Sequence, residues 1–349
     1  MIYSFNPLED SRWAKFLEDH PRSSVFQTQP WLAALHRTYG YQPVAFSTSP
    51  PGACLTNAIV FCEIHSWLTG RRLVSLPFSD HCDPLLDSGT GLETFLPHLR
   101  SSLAARKLRY FELRPTEPLS GDFTPSSTHG YCLHSLDLTP SLDTLFHNLH
   151  QDSTRRKIRR AEREGLTYDT GTSPALLDAF YWLLLITRRR HALPPQPKRW
   201  FENLIHSFGP ALEIRVALHR GRPVAAILTL RHKDTLVYKY GCSDTRFHNL
   251  GSVHLLFWKS IVDAKQNGLR TFDLGRSDRE DSGLITFKNR WGARQSELIY
   301  LRIGDRPASS TPSITAKTGW KRRLAKRLFA RLPMPVLRIA GELFYRHVG

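Results

Sequence analysis

Along this chain, short stretches in which apolar and polar residues alternate are interleaved with longer ones whose apolar residues return at helical spacing. The order of the two patterns is used twice. Residues 108–114 read Leu-Arg-Tyr-Phe-Glu-Leu-Arg, and residues 269–276 read Leu-Arg-Thr-Phe-Asp-Leu-Gly-Arg. The alternation predicts two half-buried strands, each ending in a carboxylate and an arginine. An amphipathic helical stretch precedes each: Gly91 to Lys107 in the first copy, Gly251 to Gly268 in the second. Further upstream each copy has strand-like segments, within 42–76 and 212–242. The order predicts two structurally related halves. Chance agreement between two common helix–strand units is the alternative.

The remaining pattern fills in around that repeat. Helices are expected over 8–20, stopped by Pro21, and from Pro30 to Gly40, with proline at the favoured first position and glycine as the cap. Strands follow near 42–47, 57–65 and 71–76, then a polar loop at 77–84. The segment Tyr131–Leu138 reads as a strand, and Pro140 to about Glu164 as one long helix ending at Gly165. A helix from Ser173-Pro174 to about His191 is broken by Pro194-Pro195-Gln196-Pro197. Three alternating segments, Leu212–Leu218, Pro223–Arg231 and Thr235–Cys242, form a meander joined by short turns. A last strand is expected near 296–303. This division suggests an N-terminal domain over 1–138, a C-terminal domain over 139–305 and a tail over 306–349.

Composition narrows the class. The 349 residues suffice for two cored domains. Five scattered cysteines, with no Cys-x-x-Cys pair, argue for reduced thiols in a cytoplasmic protein and against a disulfide framework or structural zinc. The histidines form no metal-binding motif, so no metal is expected. The N-terminus has no signal-peptide core, and no stretch reaches the ~20 apolar residues that span a bilayer. The net charge is +17, and its placement matters more than its size. One basic cluster is Arg155, Arg156, Lys157, Arg159, Arg160 and Arg163. Another is Arg188 to Arg190 with Lys198 and Arg199. The tail from Arg306 to Gly349, with ten Lys or Arg against Glu342 alone, holds about half of the excess. Such fields attract phosphates, although a helix dipole also accounts for cations in a last turn. In the tail, Trp320, Leu324, Leu328 and Leu332 recur every four residues among Lys321, Arg322, Arg323, Lys326, Arg327 and Arg331. That pattern predicts a basic amphipathic helix for an anionic membrane surface, RNA or the domain itself, with residues 317–346 as the candidate membrane contact.

Candidate chemistry concentrates in the second half. The order strand, Arg/Gly-bearing loop, helix, strand over 235–275 presents a helix N-terminus that can hold a pyrophosphate. Arg246, Gly251 and Ser252 are the parts of such a cradle. This is neither a P-loop nor a dinucleotide fingerprint. Gly221-Arg222-Pro223-Val224-Ala225-Ala226, Tyr240-Gly241-Cys242-Ser243-Asp244, Phe272-Asp273-Leu274-Gly275-Arg276-Ser277 and Phe287-Lys288-Asn289-Arg290-Trp291-Gly292 resemble the recurring blocks of FemAB-like proteins of the GNAT acyltransferase superfamily. Phe26-Gln27-Thr28-Gln29-Pro30-Trp31 and Leu76-Pro77-Phe78-Ser79-Asp80 resemble the N-terminal blocks. The resemblance covers roughly residues 20–303.

It implies an α/β (α+β) fold of two GNAT-like domains with mixed, mostly antiparallel sheets flanked by helices, followed by the basic helical tail. It implies transfer of an acyl or aminoacyl group to an amine of a cell-envelope or polysaccharide precursor, without a permanently bound cofactor. An acyl-CoA-like thioester is the leading donor and aminoacyl-tRNA the second. A non-catalytic RNA- or membrane-binding protein on a decayed GNAT fold is the rival class. The compact GNAT pyrophosphate loop is not cleanly matched, because Arg246 and Gly251 lie five apart. Lys288 matches the family's Phe-Lys lysine, placed to stabilise charge on the donor or transition state. Asp273 orients or deprotonates the amine, or pairs structurally with Arg276. Tyr238 and Tyr240 should share one strand face by the two-residue period, with a hydroxyl toward a reacting carbonyl or both rings in the core. Asp80 is an acceptor-site candidate. Arg276 and Arg290 are phosphate contacts or surface ion pairs. The expected location is cytoplasmic, or peripheral at the inner face of the membrane.

Overall fold

A computed structural model describes residues 1–87, 89–119, 124–304 and 333–347. The chain divides into two compact units, with both boundaries inside strands: β6 (Ser127–Asp137) is cut after Tyr131 and β12 (Arg294–Ile303) after Ser296.

The first unit holds residues 1–131 with 297–304 and 344–347. Its strands are β1 (Tyr3–Phe5), β2 (Gln42–Ser47), β3 (Ile59–Ser66), β4 (Gly70–Val74) and β5 (Phe111–Leu113), in the order β1-β2-β3-β4-β5-β12. All neighbours are antiparallel except β4 and β5. Helices α1 (Arg12–Asp19), α2 (Gln29–Tyr39) and α3 (Leu96–Ala105) complete it. Phe61, Leu73, Leu99, Leu103, Phe111 and Ile303 share one core.

In the second unit α4 (Leu142–Asn148), α5 (Arg156–Arg163), β7 (Thr167–Gly171), α6 (Pro174–Arg190) and α7 (Lys198–Phe208) precede β8 (Leu212–His219), β9 (Arg222–His232) and β10 (Thr235–Ser243). Then come α8 (Ser252–Gln266), β11 (Thr271–Asp278) and α9 (Ser282–Asn289). The strand order is β6-β11-β10-β9-β8-β7. A final helix, α10 (Met334–Phe344), lies mostly in this unit. On one sheet face α5 and α8, the latter through Phe257 and Ile261, share a core with Ala225, Ile227, Phe272 and Leu274. The opposite face meets α6 and α7 through Phe180, Phe201 and Tyr240.

The sequence repeat corresponds to a repeated topology. In each unit three antiparallel strands lead through a helix into a parallel fourth: β2-β3-β4, α3, β5 and β8-β9-β10, α8, β11. A parallel neighbour needs such a crossover, which is why a helix precedes both similar strands. The fold class expected from the resemblance is the one observed.

One local expectation changes, and two segments gain detail. The long helix over 140–164 is broken: the chain turns extended at Leu149 and His150 and resumes as a π-turn over Gln151–Arg155 before α5. His150 N–H and Thr154 Oγ1 both donate to the Arg290 carbonyl, at 3.0 and 3.2 Å. A tertiary hydrogen bond therefore sets the break, and the helical periodicity did not reveal it. The Pro-rich breaker turns out to begin α7, with Pro197 as N-cap and Trp200, Phe201, Leu204 and Phe208 inward. The segment Gly283–Trp291, whose form the pattern left open, contains α9, capped by the Asp281 side chain accepting from Leu284 N–H. The predicted tail helix through Trp320 to Leu332 lies outside the described residues.

Candidate active site

The end of β11 carries the densest polar arrangement. Phe272 and Leu274 point into the α8 core, so Asp273 faces the other side, and it is also buried. Gly275 sits at φ +70°, a left-handed conformation that breaks the pleat where a side-chain-bearing residue would be strained. Asp273 Oδ1 fixes the break by accepting the Gly275 N–H at 2.7 Å. From the last turn of α9, Lys288 Nζ donates to the carbonyls of Gly275 at 2.7 Å and Arg276 at 2.9 Å. Lys288 is only 2% exposed, so the surface-lysine alternative falls away. A buried ammonium loses several kcal/mol of hydration, which carbonyl dipoles must offset. Asp273, Gly275 and Lys288 thus form one connected group.

The second element is the start of α8. After β10, Asp244 accepts the Arg246 N–H at 3.1 Å and holds the largely exposed Arg246 guanidinium through both carboxylate oxygens. Those hydrogen bonds from Arg246, opposed by burial, hold the Asp244 carboxyl below its usual range. A 3₁₀ turn over Thr245–Leu250 ends at Gly251 with φ +78°. A Cβ at Gly251 would lie 2.3 Å from the Lys157 carbonyl oxygen, so glycine is required there by the close approach of α5. Ser252 is buried.

One turn into α8, His254 stacks on Trp291 at 5.9 Å and meets Phe287 edge-on at 5.5 Å. Burial, then the charges of Lys157, Arg290 and His248, push its imidazole down to about 3, which keeps it neutral. This aromatic cluster brings the Gly251 turn and the Lys288 helix together as neighbours. Sequence reasoning passed over His254, whose only signal was its place one turn beyond the glycine.

The tyrosine pair is a correction. A bulge falls between Tyr238, opposite Thr229, and Tyr240, opposite Leu228. The extra residue reverses the alternation, so the rings lie on opposite faces. Tyr238 packs on Phe257 of α8, and Tyr240 packs on Phe201 of α7, its hydroxyl accepting from Trp200 Nε1 at 2.9 Å. Arg290 is exposed and Arg276 half-buried. In the first unit, the carbonyl of Asp80 accepts the Tyr300 hydroxyl at 2.6 Å, and Arg114 donates to the preceding Ser79 carbonyl at 3.0 Å, so this loop is held by its backbone.

A third feature lies on α5. Gln151, Asp152, Arg155, Arg156, Arg159, Glu162 and Arg163 line an open groove of about 820 Å³. The arginines share one side because the π-turn and α5 place them at helical spacing. Arg155 Nε is buried without a hydrogen-bond partner among the described residues. Among those residues no cluster of His, Cys, Asp or Glu is suited to a metal, and no helix is long and apolar enough to cross a membrane.

These features sit on a recognised architecture. A family model described as an acetyltransferase (GNAT) domain matches residues 150–289, the stretch that runs from the α5 groove to α9. A UDP-N-acetylmuramoylpentapeptide-lysine N(6)-alanyltransferase of Weissella viridescens is 26% identical over 160 residues, covering 44% of this chain and 47% of that protein. The match thus spans about half the length of the curated relative. A crystal structure of FemX superposes with a TM-score of 0.63 at 14% identity, over 86% of this chain and 97% of that one. Residues 150–289 thus match a GNAT domain, and the chain as a whole is similar to FemAB-like proteins in fold. A tandem GNAT protein from the clavulanic acid biosynthesis pathway shares the fold at TM-score 0.53 and 12% identity, over 88% and 99% of the two chains. So does the C-terminal domain of a putative lysylphosphatidylglycerol synthetase from Agrobacterium fabrum, at 0.54 and 14%, over 85% and 91%. The structure links Asp273 and Lys288 through Gly275, and His254 of α8 meets Phe287, the residue before Lys288, and Trp291. It separates Tyr240 from Tyr238, and it leaves Arg246 ion-paired at the surface.

Proposed function

We propose that this protein is an aminoacyltransferase that moves an aminoacyl group from aminoacyl-tRNA to an amine of a peptidoglycan-type precursor. The Lys288 ammonium, buried against the carbonyls of Gly275 and Arg276, is the observation that carries the reading. In the reaction the acceptor nitrogen bonds to the ester carbonyl carbon, the carbon–oxygen ester bond breaks, and the leaving ribose hydroxyl gains the proton the amine loses. Negative charge develops first on the carbonyl oxygen and then on the leaving oxygen. A fixed cation in a water-poor site stabilises both, because it needs no reorganisation when the charge appears. Asp273, tied to the same glycine, is the candidate to orient the amine. The arginine groove on α5 supplies positive charge for donor phosphates.

The thioester donor placed first by the sequence gives way to the RNA donor. The basic groove on α5 suits a polyanionic RNA donor. The relative that matches by sequence is named as an alanyltransferase acting on a lysine of a muramoylpentapeptide.

The test is transfer of a labelled amino acid from charged tRNA to a UDP-linked muramoylpentapeptide, with an acyl-CoA panel in parallel. The expected result is tRNA-dependent transfer by wild-type protein, with Lys288→Met folded at the wild-type Tm but slowed at least about 100-fold. Transfer from acyl-CoA alone, or a folded Lys288→Met with wild-type turnover, overturns the proposal.

A further inference from the structure

The described surface holds large apolar side chains that the folded units do not bury. On α10, Val336, Ile339 and Leu343 are 45%, 56% and 61% exposed. At 3.6 residues per turn they fall within a stripe of about 60°. The inward side of the same helix carries Leu337, fully buried, and Gly341, where a Cβ would lie 2.2 Å from the Pro195 carbonyl. The helix is therefore fixed in rotation, and its exposed stripe is a consequence of how it docks.

The first unit carries an apolar tip of its own. Phe344, 47% exposed, ends α10, and three residues later His347 hydrogen-bonds Ser66 at 3.0 Å and meets the Trp67 ring at 5.4 Å. Trp67 and Leu68, at the tip of the β3–β4 hairpin, are 84% and 49% exposed. Cations surround the tip. Arg109 donates to the Thr69 carbonyl in the same turn at 3.0 Å, Arg71 pairs with Glu63, and Arg346 is exposed. The sequence that leads into α10 is basic as well, with Lys321, Arg322, Arg323, Lys326, Arg327 and Arg331.

We propose that α10 and the β3–β4 tip each insert apolar groups into an anionic lipid surface. Solvent-facing aliphatics, one largely exposed tryptophan and a basic surround are what an interfacial binder needs: apolar groups to enter the acyl boundary, an amphipathic ring at the headgroups, and cations for the lipid phosphates. The charge argues against the other occupants of an apolar face. A second copy of this chain would bring its own cations against these, and RNA has no use for exposed aliphatics.

The experiment is flotation of the full chain with vesicles of phosphatidylcholine and phosphatidylglycerol, beside vesicles of phosphatidylcholine alone. Wild-type protein should float with the mixed vesicles and far less with the neutral ones. Trp67→Ser/Leu68→Ser and Ile339→Ser/Leu343→Ser should each lower the bound fraction at least about tenfold while keeping the wild-type Tm and the wild-type rate on a soluble acceptor. Wild-type protein that stays at the bottom of the gradient overturns the proposal, as do variants that float undiminished. A wild-type dimer that Ile339→Ser/Leu343→Ser converts to monomer in light scattering overturns it too, in favour of self-association.

Discussion

Two buried charges show how differently this protein stabilises an ion away from water. Lys288 donates to carbonyl dipoles at the end of β11, whereas Glu112 is held by full charges. Burial alone would raise the Glu112 carboxyl, but Arg114 at 2.8 Å and Arg302 at 2.6 Å pull it down to about 2. Its folded pKa lies below the ordinary 4.5, so it adds stability above that value and loses it as pH falls toward 2. The contribution is about 3 kcal/mol, lost between roughly pH 4.5 and 2. Glu112→Gln should lower stability by a comparable amount at neutral pH, because two arginines lose their buried anion, and should flatten the acid limb of a denaturant titration. An acid limb identical to wild type would show that the ion pairs carry no net stability. His254 acts in the opposite sense. Its depressed pKa means the unfolded state takes the proton first, so stability falls as pH drops below about 6.5 toward 3. His254→Phe, which keeps a ring on Trp291, should remove that part of the pH dependence from the thermal melting profile.

At the level of elements, the turn that opens α8 is a packing device. Gly251→Ala would place a methyl group against the Lys157 carbonyl and hold a side-chain-bearing residue at φ +78°. The expected loss is about 2–4 kcal/mol, measured as a shift of the urea midpoint. An unchanged midpoint would mean that α5 moves aside. What the sequence revealed, and what it hid, follows from the range of the interaction that decides each feature. The meander β8–β10 and the strands that follow α3 and α8 were legible because period-two alternation is local. The parity of Tyr238 and Tyr240 was not, since the bulge between them leaves no mark in composition. Nor was the break after α4, which hydrogen bonds to the Arg290 carbonyl decide from far along the chain. Lys288 was legible only by resemblance, because an isolated lysine in a sequence defaults to solvent.

For the whole molecule, a net charge of +17 makes donor binding an ionic-strength experiment. If the α5 groove holds donor phosphates, Arg159→Ala/Arg163→Ala should weaken tRNA binding and reduce the slope of log affinity against log salt by about 0.7–0.9 for each phosphate left without its arginine. A weaker affinity with an unchanged slope would place those arginines away from the RNA. The boundary strands add a consequence for synthesis. β5 pairs with β4 on one edge and with β12 on the other, Leu113 opposite Leu301. During translation that second edge has no partner until the chain reaches residue 303, which at ordinary ribosomal speed leaves it open for roughly 10–40 s. The N-terminal unit therefore cannot finish folding as it emerges. It waits on a strand encoded far downstream, and chaperones have that interval in which to shield an unsatisfied edge.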